Sequence, residues 1–192
     1  YKLDKAIREL YTDFLDRKDV MGQIQAFYKN YAVIFLDKWF NYIDEYKSDQ
    51  TGKIQEIIDS NPGKTAVVVG DGVSYEFAQD IIEKVSKEYT LSKENQYIFA
   101  GLPSETEHNM SQLYNDTGKV IAKKQDREAY VLNQNIDKSI GFIDLEMVNE
   151  TTDKEDYLIC SYKDPDKLGE TYQQKALKYF DYVASLYSTK IE

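Results

Sequence analysis

The sequence predicts an α/β fold, in which a mainly parallel sheet carries helices on both faces and follows an N-terminal helical segment. The run Thr65-Ala-Val-Val-Val-Gly70 is short, apolar and β-branched, as in a strand that is buried on both faces. Further short apolar runs follow and alternate with stretches in which apolar residues recur at helical spacing. Strands that alternate with helices need crossover connections, which predicts a parallel sheet covered by helices.

Residues 1–60 are predicted to form the helical segment, with two or three helices. Apolar side chains recur there at helical spacing in three groups: Leu3, Ile7, Leu10 and Phe14; Ile24, Phe27, Tyr31 and Ile34; Trp39, Phe40 and Ile43. Gly22 and Gly52 are the glycines of this segment, and we expect each to lie near a helix break.

The α/β part is expected to span residues 61–192, because the sequence changes character at Asn61-Pro-Gly63. The expected strands are Thr65–Gly70, Tyr97–Ala100, Ile140–Ile143 and Tyr157–Cys160. A helix is expected after the first strand, another from about Glu107 to Tyr114, and a third at the end of the chain. The apolar face of that last helix comprises Tyr172, Ala176, Leu177, Phe180, Val183, Ala184 and Tyr187.

The composition excludes several classes of protein. Hydrophobic residues make up 42% and charged residues 30% of the chain, a globular balance that excludes a disordered or fibrous protein. No apolar run approaches the roughly 18 residues of a membrane span, so we expect no membrane partner. The single cysteine, Cys160, excludes an internal disulfide and indicates a reducing compartment, which we expect to be the cytoplasm.

The charge and the chain ends lead to two further expectations. The net charge of −10 repels a phosphate backbone, so direct nucleic-acid binding is not expected. Lys123, Lys124 and Arg127 form a short basic cluster, which we interpret as a solvated helix face. The chain begins at Tyr1 instead of Met and stops directly after a helical pattern, so we expect it to be part of a longer parent protein.

Polar residues that directly follow the predicted strands are the candidate functional residues, because ligands of open α/β sheets bind at the carboxyl ends of the strands. Asp71 leaves the first strand between two glycines; the alternative role is a turn or helix-capping aspartate. Ser104 and Thr106 stand before a predicted helix, where a hydroxyl either attacks phosphorus or caps the helix. Asp164, Asp166 and Glu170 follow the last predicted strand, as oxygen ligands of a cation or as an acidic surface loop.

These turns occur in a recognisable order: Asp-Gly at Asp71, Pro-x-x-Thr at Pro103 to Thr106, and Pro-Asp-x-x-Gly at Pro165 to Gly169. This order resembles the alkaline phosphatase superfamily, and within it the PglZ domain of bacterial phage-defence systems of the BREX type and of some response regulators. The resemblance runs roughly from Leu36 to Ile191 and implies an alkaline phosphatase-like fold, of which this chain holds the first part.

The resemblance also implies roles for individual residues. Asp71 binds one divalent metal, Thr106 is the nucleophile held on that metal, and Asp166 binds the other metal. Asn109 touches a phosphate oxygen of the substrate, and Glu170 takes a position where the superfamily commonly has a metal-binding histidine. The implied cofactors are two divalent ions, zinc or else manganese, and two such ions lower the pKa of the nucleophile and neutralise charge on the attacking and leaving oxygens.

The superfamily site also needs a later Asp-His pair and a further histidine, whereas this chain contains only His108, on the helix of Thr106. We therefore expect an incomplete site, inactive in this chain by itself and completed in the parent protein. The expected activity of the parent is hydrolysis of a phosphate monoester or diester, with a nucleotide among the candidate substrates and proteins of a defence or signalling system as partners. The alternative is a catalytically inactive binding or scaffolding module, which Glu105 and Glu107 favour because they repel a phosphate beside Thr106.

Overall fold

The computed structural model of the chain describes residues 2–14, 16–73, 75–90, 98–149 and 154–171. For Asp4, Thr12, Tyr75, Glu76 and residues 168–171 it describes the backbone alone. The chain forms two compact units, Tyr1–Tyr46 and Lys47–Glu192. Within the described residues, none of the helices combines the length and the hydropathy that crossing a membrane requires.

The first unit consists of two helices, α1 (Lys2–Asp13) and α2 (Lys18–Tyr42), which pack against each other, and a 3₁₀ turn at Ile43–Glu45. Ile7 of α1 is buried. The helix break expected near Gly22 falls before it, between α1 and α2, and α2 continues through this residue. A single glycine inside a helix costs only about 1 kcal/mol relative to alanine, which the rest of a long helix offsets.

The second unit contains a three-stranded sheet in which every pairing is parallel, in the order β1 (Thr65–Gly70), β3 (Tyr157–Tyr162), β2 (Ile140–Asp144). The helices of this unit are α3 (Lys53–Ser60), α4 (Tyr75–Val85), α5 (Thr106–Tyr114), α6 (Lys124–Gln134) and α7 (Asp164–Thr171). A second 3₁₀ turn spans Leu145–Met147. The α/β fold class expected from the sequence is confirmed.

Helices cover both faces of the sheet, because successive side chains of a strand point to opposite faces. On one face, Phe77 of α4 packs with Cys160 and Tyr162 of β3. On the other face, Ile159 of β3 packs in one cluster with these buried residues of α3, α5 and α6: Ile54, Ile58, Tyr114 and Val131. The two clusters hold the second unit together and fix the ends of the strands where the candidate residues lie.

Helix α3 belongs to the second unit, because Ile54 and Ile58 are buried in its core. The helical segment expected over residues 1–60 therefore includes one helix that packs with the sheet. The division of the chain between residues 60 and 61 stays a prediction.

Residues 98–100 do not form the strand expected at Tyr97–Ala100. Their backbone groups bond to the segment before α3: the Phe99 N–H donates to Asp49 Oδ1 at 2.5 Å, and the Phe99 carbonyl accepts from Ser48 Oγ at 2.9 Å. The Phe99 carbonyl also accepts from the Asp49 N–H at 3.2 Å, so its partners come from the segment before α3 and not from a strand of the sheet. Tyr97 and the helix expected at 172–187 lie outside the described residues.

Candidate functional site

The carboxyl ends of the three parallel strands meet at one edge of the sheet, and acidic side chains gather there. Asp71 follows β1, Asp144 ends β2, and α7 begins directly after β3 with Asp164. The Asp71 N–H donates to the Tyr162 carbonyl at 2.9 Å, so the pairing of β1 with β3 continues one residue past Gly70. This bond fixes the backbone of Asp71 beside the entry to α7.

Gly72 brings the turn of Asp71 against the first turn of α7. Its φ is +70°, in the left-handed region that favours glycine. A Cβ atom at this position would lie 2.6 Å from the Asp166 nitrogen and 2.7 Å from the Asp166 Cα. Because no side chain fits that gap, the glycine allows a close backbone approach that puts Asp71 next to Asp166.

The closeness of Asp71 and Asp166 affects the pKa of the Asp71 side chain. Burial raises the pKa of Asp71, and the negative charge of Asp166 raises that pKa further. Lys163 and the Gly72 N–H act in the opposite direction. A carboxylate whose ionisation is opposed by burial and by a neighbouring negative charge favours a cation beside it, since the cation offsets both the repulsion and the desolvation.

The oxygen donors of Asp71 and Asp166 fit a hard or borderline divalent cation, but they are only two ligands. Within the described part of the chain, no group of three or more His, Cys, Asp and Glu side chains is placed to hold a metal ion. Glu170 lies one helical turn after Asp166 on the same face of α7, and its side chain is outside the described residues. The metal ligation expected of Asp71, Asp166 and Glu170 stays a prediction.

Thr106 is the first residue of α5, and it is exposed. The N-cap of this helix is Glu105, which makes no side-chain capping bond, so the capping role considered for Ser104 and Thr106 is not what the structure shows. Thr106 is connected to the strand edge through its own helix, because Met110 and Tyr114 further along α5 line a cavity beside Asp71.

Asn109 lies one turn into α5. Its Nδ2 donates to the Glu105 carbonyl at 3.2 Å, and its own carbonyl accepts from Gln50 Nε2 at 3.3 Å. Its Oδ1 is buried, and no hydrogen-bond partner for that atom exists among the described residues. His108 Nε2 contacts Gln112 Nε2 at 3.1 Å, one turn further along the helix.

The cavity at the strand edge holds about 20 Å³, room for a group the size of one water molecule. Its lining residues are Val69, Asp71, Met110, Tyr114, Lys124, Arg127, Ser161, Tyr162 and Lys163. Three of these residues carry positive charge. Lys124 and Arg127 lie on α6, and Lys163 directly follows β3.

Arg127 and Lys124 were expected on a solvated face, and this expectation is wrong. Arg127 is buried, donating from Nη1 to the carbonyls of Ile121 at 2.9 Å and Ala122 at 2.6 Å. Its guanidinium carbon lies 6.0 Å from the centroid of the Tyr114 ring. Lys124 is half-buried at the same cavity. Both side chains point to the sheet because α6 covers it.

Lys124, Asp144 and Ser161 form a network that the sequence reasoning missed. Lys124 Nζ donates to Asp144 Oδ1 at 2.7 Å and to Ser161 Oγ at 2.9 Å, and Ser161 Oγ donates to Asp144 Oδ1 at 2.7 Å. The Lys124 ammonium, followed by the Ser161 hydroxyl, lowers the pKa of Asp144. Asp144 directly follows a predicted strand, so the rule that selected Asp71 would have selected it too.

A family model, the BREX system PglZ alkaline phosphatase-like domain, matches residues 50–187 of the chain. The chain belongs to the PglZ family. No curated protein matches the sequence. The range of the PglZ domain includes every residue for which a role was inferred, from Asp71 to Glu170.

Within this PglZ domain, the structure brings Asp71 and Asp166 together and adds Lys124, Asp144 and Ser161 at the same edge. Thr106 and Asn109 share α5, one turn apart. The structure thus places Asp71 close to Asp166, two of the three residues expected to bind metal, and it places the expected nucleophile on a helix that lines the same cavity.

Proposed function

We propose that this PglZ domain binds divalent metal ions at the carboxyl edge of its sheet and, once its ligand set is complete, hydrolyses a phosphate monoester or diester. One observation carries the proposal: Gly72 lets Asp71 and Asp166 approach each other at the edge where α/β folds bind ligands. Zinc or manganese is the proposed metal, since the superfamily resemblance implies two such ions and both described ligands are carboxylates. A nucleotide is among the proposed substrates.

The bound ions, Thr106 and Asn109 would have different roles in the proposed reaction. Bound divalent ions supply the positive charge that acidifies a hydroxyl and neutralises phosphate oxygens. Thr106 offers an exposed hydroxyl at the start of a helix whose free N–H groups favour an anion. Its Oγ would form a bond to phosphorus as the bond to the ester oxygen breaks, the proton of the hydroxyl would leave to solvent, and the departing oxygen would take a proton from solvent. A water molecule would then attack the phosphorus, so that the bond to Oγ breaks, the phosphate is released and the Thr106 hydroxyl is restored. Asn109 would contact a phosphate oxygen of the substrate through its Nδ2, which donates to the Glu105 carbonyl in this structure.

The setting of this activity is also a proposal. PglZ membership supports a bacterial phage-defence or signalling system, with partner proteins of that system and a cytoplasmic location. A second candidate function is a binding or scaffolding module without turnover. Glu105 and Glu107 favour it, because they flank Thr106 and repel a phosphate.

Hydrolysis of a chromogenic phosphodiester and a chromogenic monoester, with zinc or manganese, tests the proposal. The assay should use both the 192-residue chain and a longer protein that contains it. We expect metal-dependent turnover in the longer protein, lost in Thr106→Ala and kept in Thr51→Ala, an exposed threonine in the turn before α3. Absence of turnover with every ester, alongside retained metal binding, would favour the binding module.

A further inference from the structure

Arg127 is a buried cation that has no acidic partner in the described part of the chain. The residue is only 7% exposed. Its Nη1 donates to the carbonyls of Ile121 and Ala122, and its guanidinium lies over the Tyr114 ring. None of the described carboxylates forms an ion pair with it. Because a buried charge is costly unless it is paired, this arrangement favours an anion beside Arg127.

The guanidinium of Arg127 also has unused donors. Of its five N–H groups, three belong to Nε and Nη2. Neither of these nitrogens has a hydrogen-bond partner among the described residues. Neither is sealed from solvent, because the buried side-chain atom that lacks a partner in this part of the chain is Asn109 Oδ1. The edge of the guanidinium that Nε and Nη2 form is therefore open to a ligand, and such an edge can hold two oxygens of a phosphate.

The cavity at the carboxyl edge of the sheet is the place where such a ligand would bind. Arg127 lines this cavity together with Asp71 and with Met110, which lies one turn after the start of α5. The cavity holds about 20 Å³, enough for one oxygen-sized group. Lys124 lines it as well, but its ammonium is already bound to Asp144 at 2.7 Å. An oxyanion that enters the cavity thus meets the open guanidinium on the same wall system as Asp71.

We propose that Arg127 is a substrate-binding residue, whose Nε and Nη2 hold phosphate oxygens at the carboxyl edge of the sheet. The inference rests on the proposed function and deepens it, because it names a residue that binds the phosphate to be hydrolysed. A phosphate group has several free oxygens, so one phosphate can contact Arg127 and also a metal ion at Asp71, since both residues line one cavity. Arginine suits this role because its planar fork matches two phosphate oxygens at once.

The arginine side-chain signals test the inference directly. The chain contains three arginines, Arg8, Arg17 and Arg127, so its Nε–H groups give few signals in a nuclear magnetic resonance spectrum of chain labelled with ¹⁵N at arginine. The variants Arg8→Gln and Arg17→Gln identify two of them, and the third belongs to Arg127. We expect inorganic phosphate, added to the zinc-loaded 192-residue chain, to shift the Arg127 signal and to leave the other two in place.

Calorimetry measures the affinities for zinc and for inorganic phosphate separately. Arg127→Gln should bind phosphate roughly 10- to 100-fold more weakly than the wild type, because charge-assisted hydrogen bonds are lost, and it should bind zinc with unchanged affinity. The matched control is Arg17→Gln, since Arg17 is exposed and forms a 2.8 Å ion pair with Asp19. This control should bind both probes as the wild type does.

The outcomes separate the inference from the proposed function. Zinc binding without phosphate binding, phosphate binding without a shift of the Arg127 signal, or equal phosphate affinity in a folded Arg127→Gln chain would each overturn the inference and leave metal binding intact. Absence of binding of both probes would overturn the proposed metal dependence together with the inference. Circular dichroism shows whether Arg127→Gln is folded. If it is not, the wild-type signal decides alone, since a shift with phosphate supports the inference and an unchanged signal refutes it.

Discussion

Replacing Gly72 by alanine tests the close approach on which the candidate site depends. The substitution has two costs: a side chain at φ +70° costs about 1–2 kcal/mol, and overpacking against the Asp166 backbone adds about 1–3 kcal/mol. Gly72→Ala should therefore lower the free energy of unfolding by about 2–5 kcal/mol. It should also weaken the binding of divalent metal, because Asp71 and Asp166 would be pushed apart.

Gly118 provides the matched control, since its φ is also +70° but no atom lies within 4 Å of the Cβ that an alanine would add. Gly118→Ala should lower the free energy of unfolding only by the cost of a side chain at positive φ, about 1–2 kcal/mol, and should leave metal affinity unchanged. Urea unfolding of both variants, followed by circular dichroism, measures the difference. Equal destabilisation of the two variants, with equal metal affinity, would refute the steric argument for Gly72.

Three further predictions concern single side chains. Burial and Asp166 raise the pKa of Asp71, so ionisation of Asp71 destabilises the metal-free domain. Asp71→Asn should therefore raise the free energy of unfolding of that domain at pH 7 and abolish Mn²⁺ binding. Urea unfolding measures the first effect, and calorimetry measures the second. Burial and Glu128 raise the pKa of Tyr114 to about 12, so the wild type should lose about 2 kcal/mol more stability than Tyr114→Phe as the pH rises from 10 to 12, since the unfolded phenol releases its proton first. A much smaller difference in urea unfolding would count against burial as the cause. Ile58→Ala should lower the free energy of unfolding by about 2–5 kcal/mol in the same assay, because Ile58 is 1% exposed in the cluster that packs on β1 and β3. Ile136 is 89% exposed, so Ile136→Ala should change that free energy by no more than about 0.5 kcal/mol.

The sequence correctly predicts the three strands of the sheet, whose local pattern matches their buried position in the fold. The three apolar runs that became β1, β2 and β3 are short and rich in residues that suit a sheet buried on both faces. Tyr97–Ala100 has a similar pattern, yet Phe99 pairs with Asp49 and Ser48, far away in the sequence. Ile98 and Phe99 are also exposed, so a short apolar run by itself establishes neither burial nor a strand partner.

The candidate site was predictable to the extent that it follows from strand ends. Asp71 directly follows β1 and Asp166 lies four residues after β3, and parallel pairing brings the segments that follow neighbouring strands together. The contact of Lys124 with Asp144 depends instead on how α6 lies across the sheet and on the register of β2 with β3. The local sequence pattern of a helix specifies neither its position across the sheet nor a strand register. Lys124 and Arg127 were therefore interpreted as solvated residues.

The charges at the strand edge suggest why a metal ion is needed for a phosphate to bind there. The described residues at this edge and around its cavity carry five negative charges, on Asp71, Glu128, Asp144, Asp164 and Asp166, and four positive ones, on Lys124, Arg127, Lys163 and Lys167. The whole chain has a net charge of −10, so its long-range field also repels an anion. One divalent ion between Asp71 and Asp166 would turn the local excess from negative to positive, which is what a phosphate ester requires.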